Sequence, residues 1–328
     1  MPKTSLPFSL RPLDKKFVGP KPINEAPLDV IANLESAGRL LMERKRQGHC
    51  IFAPVTSLHG QCVELYSSGI NALTEKLPHI AEQLRGMNIP SDTLLAGEGV
   101  LAVKGIDSDS TFGRVALSGP AKAVALQKDL DPVHLALFNV IVYKGKPVIH
   151  LPYEDRLDIL LELTARQPME NVGVVQVIDT SFEKARGLVE EHGWEGLVLY
   201  DKKAGSAYRL GDGESHPRPE GCWKWKPLDE DDFVATGWIT STSAKFKGLV
   251  KDLLIAQYDA NTRELVSWGK VGNGLTTEQK REYADAAKYP MVVQLEFERR
   301  TPNSRLISAR IKRERFDKSP EECIYPHP

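Results

Sequence analysis

A lysine flanked by basic residues and followed by a glycine stands near the start of the chain and could act as a nucleophile. Lys45 lies within Glu43-Arg-Lys-Arg-Gln-Gly48. An unprotonated lysine can attack the innermost phosphate of a nucleotide and form a phosphoramidate. Because a free lysine has a pKa near ~10.4, burial, nearby cations or a metal ion must lower that pKa. A single Lys-x-x-Gly is common by chance, so it predicts chemistry only together with the residues that follow it.

Two further lysines lie in a short aromatic segment. Lys224 and Lys226 are two residues apart in Cys222-Trp-Lys-Trp-Lys-Pro227, so on a strand they share one face. Two ammonium groups on one face can offset negative charge on phosphate oxygens. Trp223 and Trp225 would bury the other face, which argues against a purely solvated strand edge. The candidate cationic neighbours of the nucleophile are Arg44, Arg46, Lys224 and Lys226.

Two glutamates borne on strands are the candidate anionic groups. Glu98 ends Leu95-Ala-Gly-Glu, and Glu195 begins Glu-Gly-Leu-Val-Leu199. Phosphoryl transfer uses Mg²⁺, which prefers carboxylate and phosphate oxygens. The usual place of glutamate is the exposed surface, and that alternative stays open for both. Phe138 is likewise either an ordinary core aromatic or a surface on which a base stacks.

Composition excludes several classes of protein. Hydrophobic residues make up 41% and charged residues 27% of 328 residues, which is normal for a soluble globular chain of two domains. No run of about 18 apolar residues predicts a membrane-spanning helix, and the N-terminus lacks the apolar centre of a signal peptide, so we expect a cytoplasmic location. The four cysteines have no CxxC spacing, so we expect reduced thiols and no zinc site.

Charge is segregated along the chain although the net charge is only −1. Residues 298–318 carry eight basic and three acidic residues, whereas residues 229–232 are acidic. This pattern is expected where only some surfaces meet phosphate.

Hydrophobic periodicity predicts helices and strands that alternate before residue 228. The predicted helices cover residues 29–44, 73–84, 154–165 and 182–192. Short strands are expected within residues 49–66, around a turn at 57–60, and within 93–103, bent at Gly97 and Gly99. The remaining predicted strands cover residues 134–143, 172–178, 196–200 and 222–226, with a long connection over 201–222.

The pattern changes after Asp232. Five candidate strands follow, with one helix near 276–288 among them, at residues 233–239, 253–258, 265–271, 292–297 and 306–311. Five short strands with one helix suit an OB-type barrel, a common nucleic-acid-binding fold. A domain boundary is therefore predicted near residues 228–232.

Taken in order, these segments resemble the covalent nucleotidyltransferase superfamily, and specifically ATP-dependent DNA ligases, over nearly the whole chain. Glu195-Gly-Leu-Val-Leu followed by Lys224-Trp-Lys-Pro is hard to obtain by chance. The closing Arg315-Phe-Asp-Lys-Ser-Pro320 is more typical of DNA ligases than of capping enzymes or RNA ligases. Lys270-Val-Gly-Asn-Gly274 looks like the turn that these ligases place in their second domain.

The resemblance implies an α+β fold of two domains. The first is an adenylation (nucleotidyltransferase) domain of antiparallel sheets and flanking helices over residues 1–229. The second is a β-barrel OB-fold domain over 230–328.

The resemblance also implies a role for each candidate residue. Lys45 would carry AMP taken from ATP, within a nucleotide-binding segment that includes Glu43 and Gly48. Lys224 and Lys226 would contact the α-phosphate. Glu195 would help to hold Mg²⁺, Glu98 would face the ribose or the metal, and Phe138 would stack on adenine. Arg315, Asp317 and Lys318 would swing onto ATP, orient the pyrophosphate and swing away again.

Nicked double-stranded DNA is the expected partner of a monomeric enzyme. Because only about 40 residues precede Lys45, we expect no separate DNA-binding domain before the core, and a binding affinity that falls steeply with salt. Residues 201–222 and 240–250 are the candidates for a loop that encircles DNA.

Other placements and functions stay open at this stage. Ser57-Leu-His-Gly60 could occupy the place of the first motif, which would put a serine at the nucleophile position and make the protein inactive; Glu43 favours Lys45. Four positions depart from the family pattern: Gln47 replaces an aspartate, Cys50 and Ser68 each replace an arginine, and Tyr200 replaces a basic residue. An RNA ligase or capping-type guanylyltransferase, or a nucleic-acid-binding relative with little catalysis, are the alternative functions.

Overall fold

The computed structural model describes residues 27–56, 62–103, 106–205, 221–301 and 303–325. By its internal contacts the chain divides into two compact units, Met1–Lys226 and Pro227–Pro328. Each unit is built on antiparallel sheet with short helices, so the protein is a mixed α/β fold. Among the described residues, no helix is long and apolar enough to cross a membrane.

A seven-stranded sheet forms the centre of the first unit, in the order β10-β8-β5-β2-β3 with β4 on β2 and β9 on β8. Its strands are β2 (His49–Thr56), β3 (Cys62–Val63), β4 (Tyr66–Ser67), β5 (Thr93–Val100), β8 (His134–Tyr143), β9 (Lys146–Pro147) and β10 (Val172–Val174). All pairs are antiparallel except β10 with β8. One face packs on a large core that includes Ile51, Leu95 and Leu137.

A second, three-stranded sheet carries most of the candidate residues of this unit. It has the order β1-β11-β12 and consists of β1 (Leu40–Lys45), β11 (Gly196–Asp201) and β12 (Cys222–Trp225). A short hairpin of β6 (Ala102–Val103) and β7 (Ile106–Asp107) stands apart from both sheets. Only residues 46–48 connect β1 in the small sheet to β2 in the large one, so the two sheets meet at the end of β1.

Six helices cover the sheets of the first unit in the described residues. They are α1 (Leu28–Ser36), α2 (Pro78–Gly86), α3 (Asp109–Leu117), α4 (Pro120–Asp129), α5 (Tyr153–Arg166) and α6 (Phe182–His192). Helices α1 and α6 bury Ile31, Leu34 and Phe182 against the small sheet, where Leu197 and Trp223 complete the cluster.

The second unit is a six-stranded sheet with the order β15-β14-β13-β16-β19, with β20 on β14. Its elements are β13 (Asp229–Thr240), β14 (Val250–Asp259), β15 (Leu265–Val271), α7 (Thr277–Glu282), β16 (Met291–Phe297), β17 (Arg299–Thr301), β18 (Arg305–Ile307), β19 (Arg310–Glu314) and β20 (Ile324–Tyr325). Strands β17 and β18 form a separate hairpin. In the part of this unit that the structure describes, β15 and β19 are the edges and no pairing between them closes a barrel.

Several sequence predictions are confirmed. Helix α6 covers the predicted residues 182–192, and β8 and β15 cover the predicted 134–143 and 265–271. Helix α5 differs from its prediction by one residue at each end. The five strands expected after Asp232 are present, although the last of them is divided.

The helix predicted over residues 29–44 is wrong beyond Ser36. The chain reverses at Gly38, whose φ of +65° is left-handed, and residues 40–45 then form β1. Gly97 and Gly99 lie inside one continuous strand, β5, whose pairing with β8 shifts register between Ala96 and Gly97. A β-carbon on Gly97 would come within 2.9 Å of the Ala136 carbonyl oxygen, so close packing of β8 explains this glycine.

The predicted strand 306–311 divides into β18 and β19 at Ser308, which adopts a φ of +54°. The helix expected near 276–288 is shorter, because α7 ends at Glu282 and only a single 3₁₀ turn follows over 286–288. Helices α3 and α4 were not predicted. The turn expected at residues 57–60 lies outside the described residues.

Candidate active site

Lys45 is the last residue of β1, and its side chain contacts a glutamate of the same unit. Its Nζ lies 2.6 Å from Oε2 of Glu195, the residue that immediately precedes β11. The pairing of β1 with β11 places Lys45 opposite Gly196, which explains why residues 150 positions apart meet. The lysine side chain is 22% exposed and that of Glu195 is 17% exposed, so the ion pair lies in a partly enclosed site.

A second lysine approaches the same carboxylate. Lys226 Nζ lies 2.7 Å from Oε1 of Glu195, so the two oxygens of Glu195 contact Lys45 and Lys226 separately. Lys226 follows β12 directly. Within β12, Lys224 pairs with Val198 of β11 and is half-buried, whereas Trp223 and Trp225 belong to the core beneath α1 and α6. The alternating faces predicted for this segment are therefore present.

Gly196 has a structural reason to be glycine. Its φ is +149°, and a β-carbon here would stand 2.1 Å from the carbonyl oxygen of Trp225. The close approach of β12 to β11 brings Lys226 onto Glu195, and it leaves no room for any side chain at position 196. Glu195 thus supplies the charged group, and the adjacent Gly196 lets strand β12 come close to β11.

Gly48 and Glu98 meet where β2 pairs with β5. A β-carbon on Gly48 would lie 2.2 Å from the carbonyl oxygen of Gly99, so only glycine fits. The Gly48 N–H donates to the Glu98 carboxylate. Burial raises the pKa of Glu98 to about 7, and the negative charge of Glu195 acts in the same direction, whereas Lys45 and the Gly48 N–H oppose it. Lys45, Glu195 and Glu98 are therefore electrostatic neighbours at the junction of the two sheets.

Phe138 lies on β8, where it packs beside Phe52 and Cys50 on the face of the large sheet opposite its main core. Its side chain is half-buried. The Tyr153 hydroxyl donates to the Phe138 carbonyl oxygen at 2.8 Å. This hydrogen bond from helix α5 therefore holds the backbone of β8 at Phe138.

Glu43 is placed inside the protein. It is 1% exposed, and its carboxyl group contacts the Tyr153 hydroxyl. Burial raises the pKa of Glu43 to about 8, against the opposing effect of the Tyr153 hydrogen bond and of Arg156. Because the single hydroxyl proton of Tyr153 can be donated to the Phe138 carbonyl, a protonated Glu43 can donate to the Tyr153 oxygen. Glu43 therefore connects the strand of Lys45 to the strand of Phe138.

Arg315, Asp317 and Lys318 follow β19 in the second unit, where Arg315 and Lys318 share one buried acid. Arg315 Nη1 and Lys318 Nζ lie 3.0 Å and 2.9 Å from Oδ2 of Asp232. Arg315 also donates from Nε and Nη2 to Asp317, and this ion pair lowers the pKa of Asp317 to about 2. Phe316 is 84% exposed between them.

The four departures from the family pattern have distinct surroundings. The backbone N–H of Gln47 donates to Asp107 at 3.3 Å. Cys50 packs beside Phe52, and Ser68 is exposed. Tyr200 is buried and stacks on Tyr153 with ring centroids 3.7 Å apart, so it points into the core. The alternative first motif, Ser57–Gly60, lies outside the described residues.

Three residues of these networks were not predicted from the sequence: Asp107, Tyr153 and Asp232. Each is a buried polar side chain in contact with a predicted residue or its neighbour. A lone Asp or Tyr carries no spacing signal, and only the acidic run at 229–232 drew attention to one of them. Among the described residues, no group of three or more His, Cys, Asp or Glu side chains is arranged to hold a metal ion.

Comparison with known proteins finds similar sequences. The model for the ATP dependent DNA ligase domain matches residues 26–224. The DNA ligase of Thermococcus fumicolans is 29% identical over 278 residues, which cover 81% of this chain and 46% of that protein. DNA ligase 2 of Methanosarcina mazei is 27% identical and covers 90% of this chain and 55% of its own length. The chain thus spans about half the length of the curated relatives it matches.

Solved structures share the fold at low sequence identity. A structure from a study of DNA binding with a minimal scaffold by Lig E DNA ligases aligns with a TM-score of 0.62 and 18% identity, covering 91% of this chain and 100% of that one. A second, Pmar-Lig_PreS3, aligns with a TM-score of 0.64 and 16% identity, covering 86% and 65%. These alignments agree with the mixed α/β architecture of antiparallel sheets.

Proposed function

The chain belongs to the ATP-dependent DNA ligase domain family, and we propose that it seals nicks in double-stranded DNA through a covalent adenylate on Lys45. The observation that carries this proposal is the paired contact of Lys45 and Lys226 with Glu195, at 2.6 Å and 2.7 Å, beside Glu98. A nucleophile, a second cation and two carboxylates at one junction are the groups that adenylyl transfer requires.

In the first step the lone pair of Lys45 Nζ attacks the α-phosphorus of ATP. The N–P bond forms, the bond from the α-phosphorus to the bridging oxygen breaks, and pyrophosphate leaves with that electron pair. The ammonium group must lose a proton, and Glu195, already in contact with Nζ, is the nearest base. Lys226 and Lys224 offset the charge on the phosphate oxygens.

Two further transfers complete the reaction. A 5′-phosphate oxygen at the nick attacks the adenylate phosphorus, and Lys45 regains its proton as the N–P bond breaks. The 3′-hydroxyl oxygen then attacks the 5′-phosphorus of the adenylated DNA and releases its proton to solvent. The phosphodiester bond forms as the bond from that phosphorus to the AMP oxygen breaks, and AMP leaves. Phe138, half-buried on β8, is the proposed stacking surface for adenine.

Glu98 and Glu195 fit a role in holding Mg²⁺. Mg²⁺ is usually bound by one or two carboxylates together with substrate phosphates, and the raised pKa of Glu98 reflects a carboxylate in a buried, partly anionic place that a cation would stabilise. When bound, the metal supplies positive charge that polarises the phosphate. The orientation of Lys45 still depends on the protein contacts described above.

We further propose that the first unit is the adenylation domain and the second an OB-fold domain, with the predicted division at 229/230. The five main strands with one short helix support the OB assignment. In this proposal Arg315, Asp317 and Lys318 orient the pyrophosphate. A monomer in the cytoplasm is the proposed state, and the four free cysteines agree with a reducing compartment.

Mass spectrometry and labelled ATP test the proposal directly. Purified protein incubated with radiolabelled ATP and Mg²⁺ should form a covalent adduct, which maps to Lys45 and is absent in Lys45→Ala. Lys247→Ala, which removes a lysine of the second unit, should leave the adduct unchanged. Sealing of nicked DNA should exceed sealing of nicked RNA. If no adduct forms at any pH between about 6 and 9, the proposal is wrong.

A further inference from the structure

The link between the two sheets of the first unit holds the nucleophile. Lys45 ends β1, and residues 46–48 lead into β2 of the other sheet. Gly48 is packed tightly against Gly99 and fixes the far end of this link. Contacts that hold Arg46 and Gln47 in place therefore also hold the backbone of Lys45.

Asp107 contacts this link at several points. Its carboxylate accepts from Arg46 Nε at 2.8 Å and from Arg46 Nη2 at 2.9 Å, which is a two-point ion pair. It also accepts from the backbone N–H of Gln47 at 3.3 Å. Arg44 Nη2 lies 3.6 Å away. With 9% exposure, Asp107 is buried, so these contacts are shielded from water.

The position of Asp107 is itself fixed. It ends the β6–β7 hairpin and pairs with Ala102. The next residue, Ser108, donates its N–H to the Leu101 carbonyl at 2.9 Å and caps α3. Phe112 of α3 is buried in the main core. The carboxylate is therefore held by a strand pairing and a helix cap from a separate part of the chain.

The two arginines that contact Asp107 flank the nucleophile. Arg44 and Arg46 reach Asp107, whereas Lys45 between them reaches Glu195. Without Asp107, Arg44 and Arg46 would lose this described ion-pair partner and would stand as like charges on either side of Lys45. Repulsion among them would favour other conformations of the link.

We propose that Asp107 is a positioning residue for Lys45. From β7 it supplies a carboxylate that holds the link next to the nucleophile. The link itself has Gln47 at the position where the family pattern has an aspartate. This inference rests on the proposed adenylation of Lys45. Asp107 acts through Arg46 and the Gln47 backbone, so its loss should reduce the rate of attack more than the binding of ATP.

Asp201 offers a matched control at the other end of β1. It forms a two-point ion pair with Arg39, immediately before Leu40. Asp201→Asn therefore removes a two-point Asp–Arg pair at the start of β1, more exposed than the pair of Asp107, without touching the link. A general loosening of β1 would affect both variants, whereas loss of the contacts at the link affects only the Asp107 variant.

Single-turnover formation of the lysyl-AMP adduct, measured over a range of ATP concentrations, tests the inference. In Asp107→Asn the maximal rate constant should fall at least about tenfold, with less than about a twofold change in the half-saturating ATP concentration. The final amount of adduct should stay near that of wild type. Asp201→Asn should keep its rate constant within about twofold, and Asp107→Glu should recover part of the lost rate.

A double-mutant cycle covers the case in which Asp107→Asn folds poorly. Arg46→Gln removes the other partner and should slow adduct formation similarly, and the double variant should be no slower than either single variant. Equal rate constants in wild type and Asp107→Asn, or an equal loss in Asp201→Asn, would overturn the inference while leaving the proposed function intact. Absence of adduct on wild type would overturn the proposed function, and this inference with it.

Discussion

Glu43→Gln should make the stability of the first unit less dependent on pH. The buried carboxyl of Glu43 has its pKa raised from 4.5 to about 8, chiefly by burial. The native protein therefore keeps this proton at pH values where the unfolded chain has lost it. Glutamine has the same shape, carries no charge, and its amide can still donate to the Tyr153 oxygen.

The sign and size of the effect follow from proton linkage. Because the pKa is higher in the folded state, the stabilisation is complete below about pH 4.5 and is lost as the pH rises towards 8. Between these values each pH unit lowers the free energy of unfolding by at most about 1.4 kcal/mol. From pH 5 to pH 8 the wild type should lose up to roughly 4 kcal/mol relative to Glu43→Gln.

Urea unfolding followed by tryptophan fluorescence at pH 5, 6, 7 and 8 measures this difference, because Trp223 and Trp225 lie in the core of the same unit. Glu162→Gln is the control, since it removes an exposed carboxylate from helix α5. Its difference from wild type should be nearly constant with pH. A constant difference for Glu43→Gln as well, or one of opposite slope, would refute the assignment of a protonated, buried Glu43.

Three further predictions concern packing, nucleotide binding and DNA binding. Gly196→Ala should lower the free energy of unfolding by about 1–3 kcal/mol, because its β-carbon would meet the Trp225 carbonyl oxygen at 2.1 Å. Gly187→Ala is the control in the same urea assay. Position 187 lies in α6 with open space around it, so this change should be neutral or stabilising. Phe138→Ala should raise the half-saturating ATP concentration for adduct formation roughly tenfold if adenine stacks there, and an unchanged value would exclude that role. Affinity for nicked DNA, measured by fluorescence anisotropy, should fall at least about tenfold between 50 and 200 mM salt, and a flat dependence would contradict binding through phosphate contacts.

Local patterns in the sequence were sufficient for elements in which the periodicity and the residues at both ends indicate the same structure. Residues 182–192 combine a Ser181 cap, helical periodicity and Gly193 at the end, and the helix forms as predicted. Residues 29–44 misled because the apolar residues of helix α1 and of strand β1 run together in one helix-like pattern. Gly38, which separates the two elements, was the available signal.

Residues of the candidate site were predictable where they belong to recognisable motifs. Single residues outside such motifs were not predictable. Lys45, Glu195 and Lys226 were predicted from motifs, and the structure brings these three together. Asp107, in contrast, is 61 positions from Arg46, and Tyr153 is 110 positions from Glu43. Such pairs depend on the packing of sheets and helices, which a single sequence does not specify.

The double contact of Glu195 means that this carboxylate keeps a counter-ion if either lysine moves away. A carboxylate with a single counter-ion becomes an isolated charge when that partner leaves, which is costly in a partly enclosed place. Here Lys45 and Lys226 contact separate oxygens, so Lys226 still neutralises Glu195 when the Lys45 side chain turns towards another group. The proposed nucleophile can therefore change its partner without leaving Glu195 as an isolated charge.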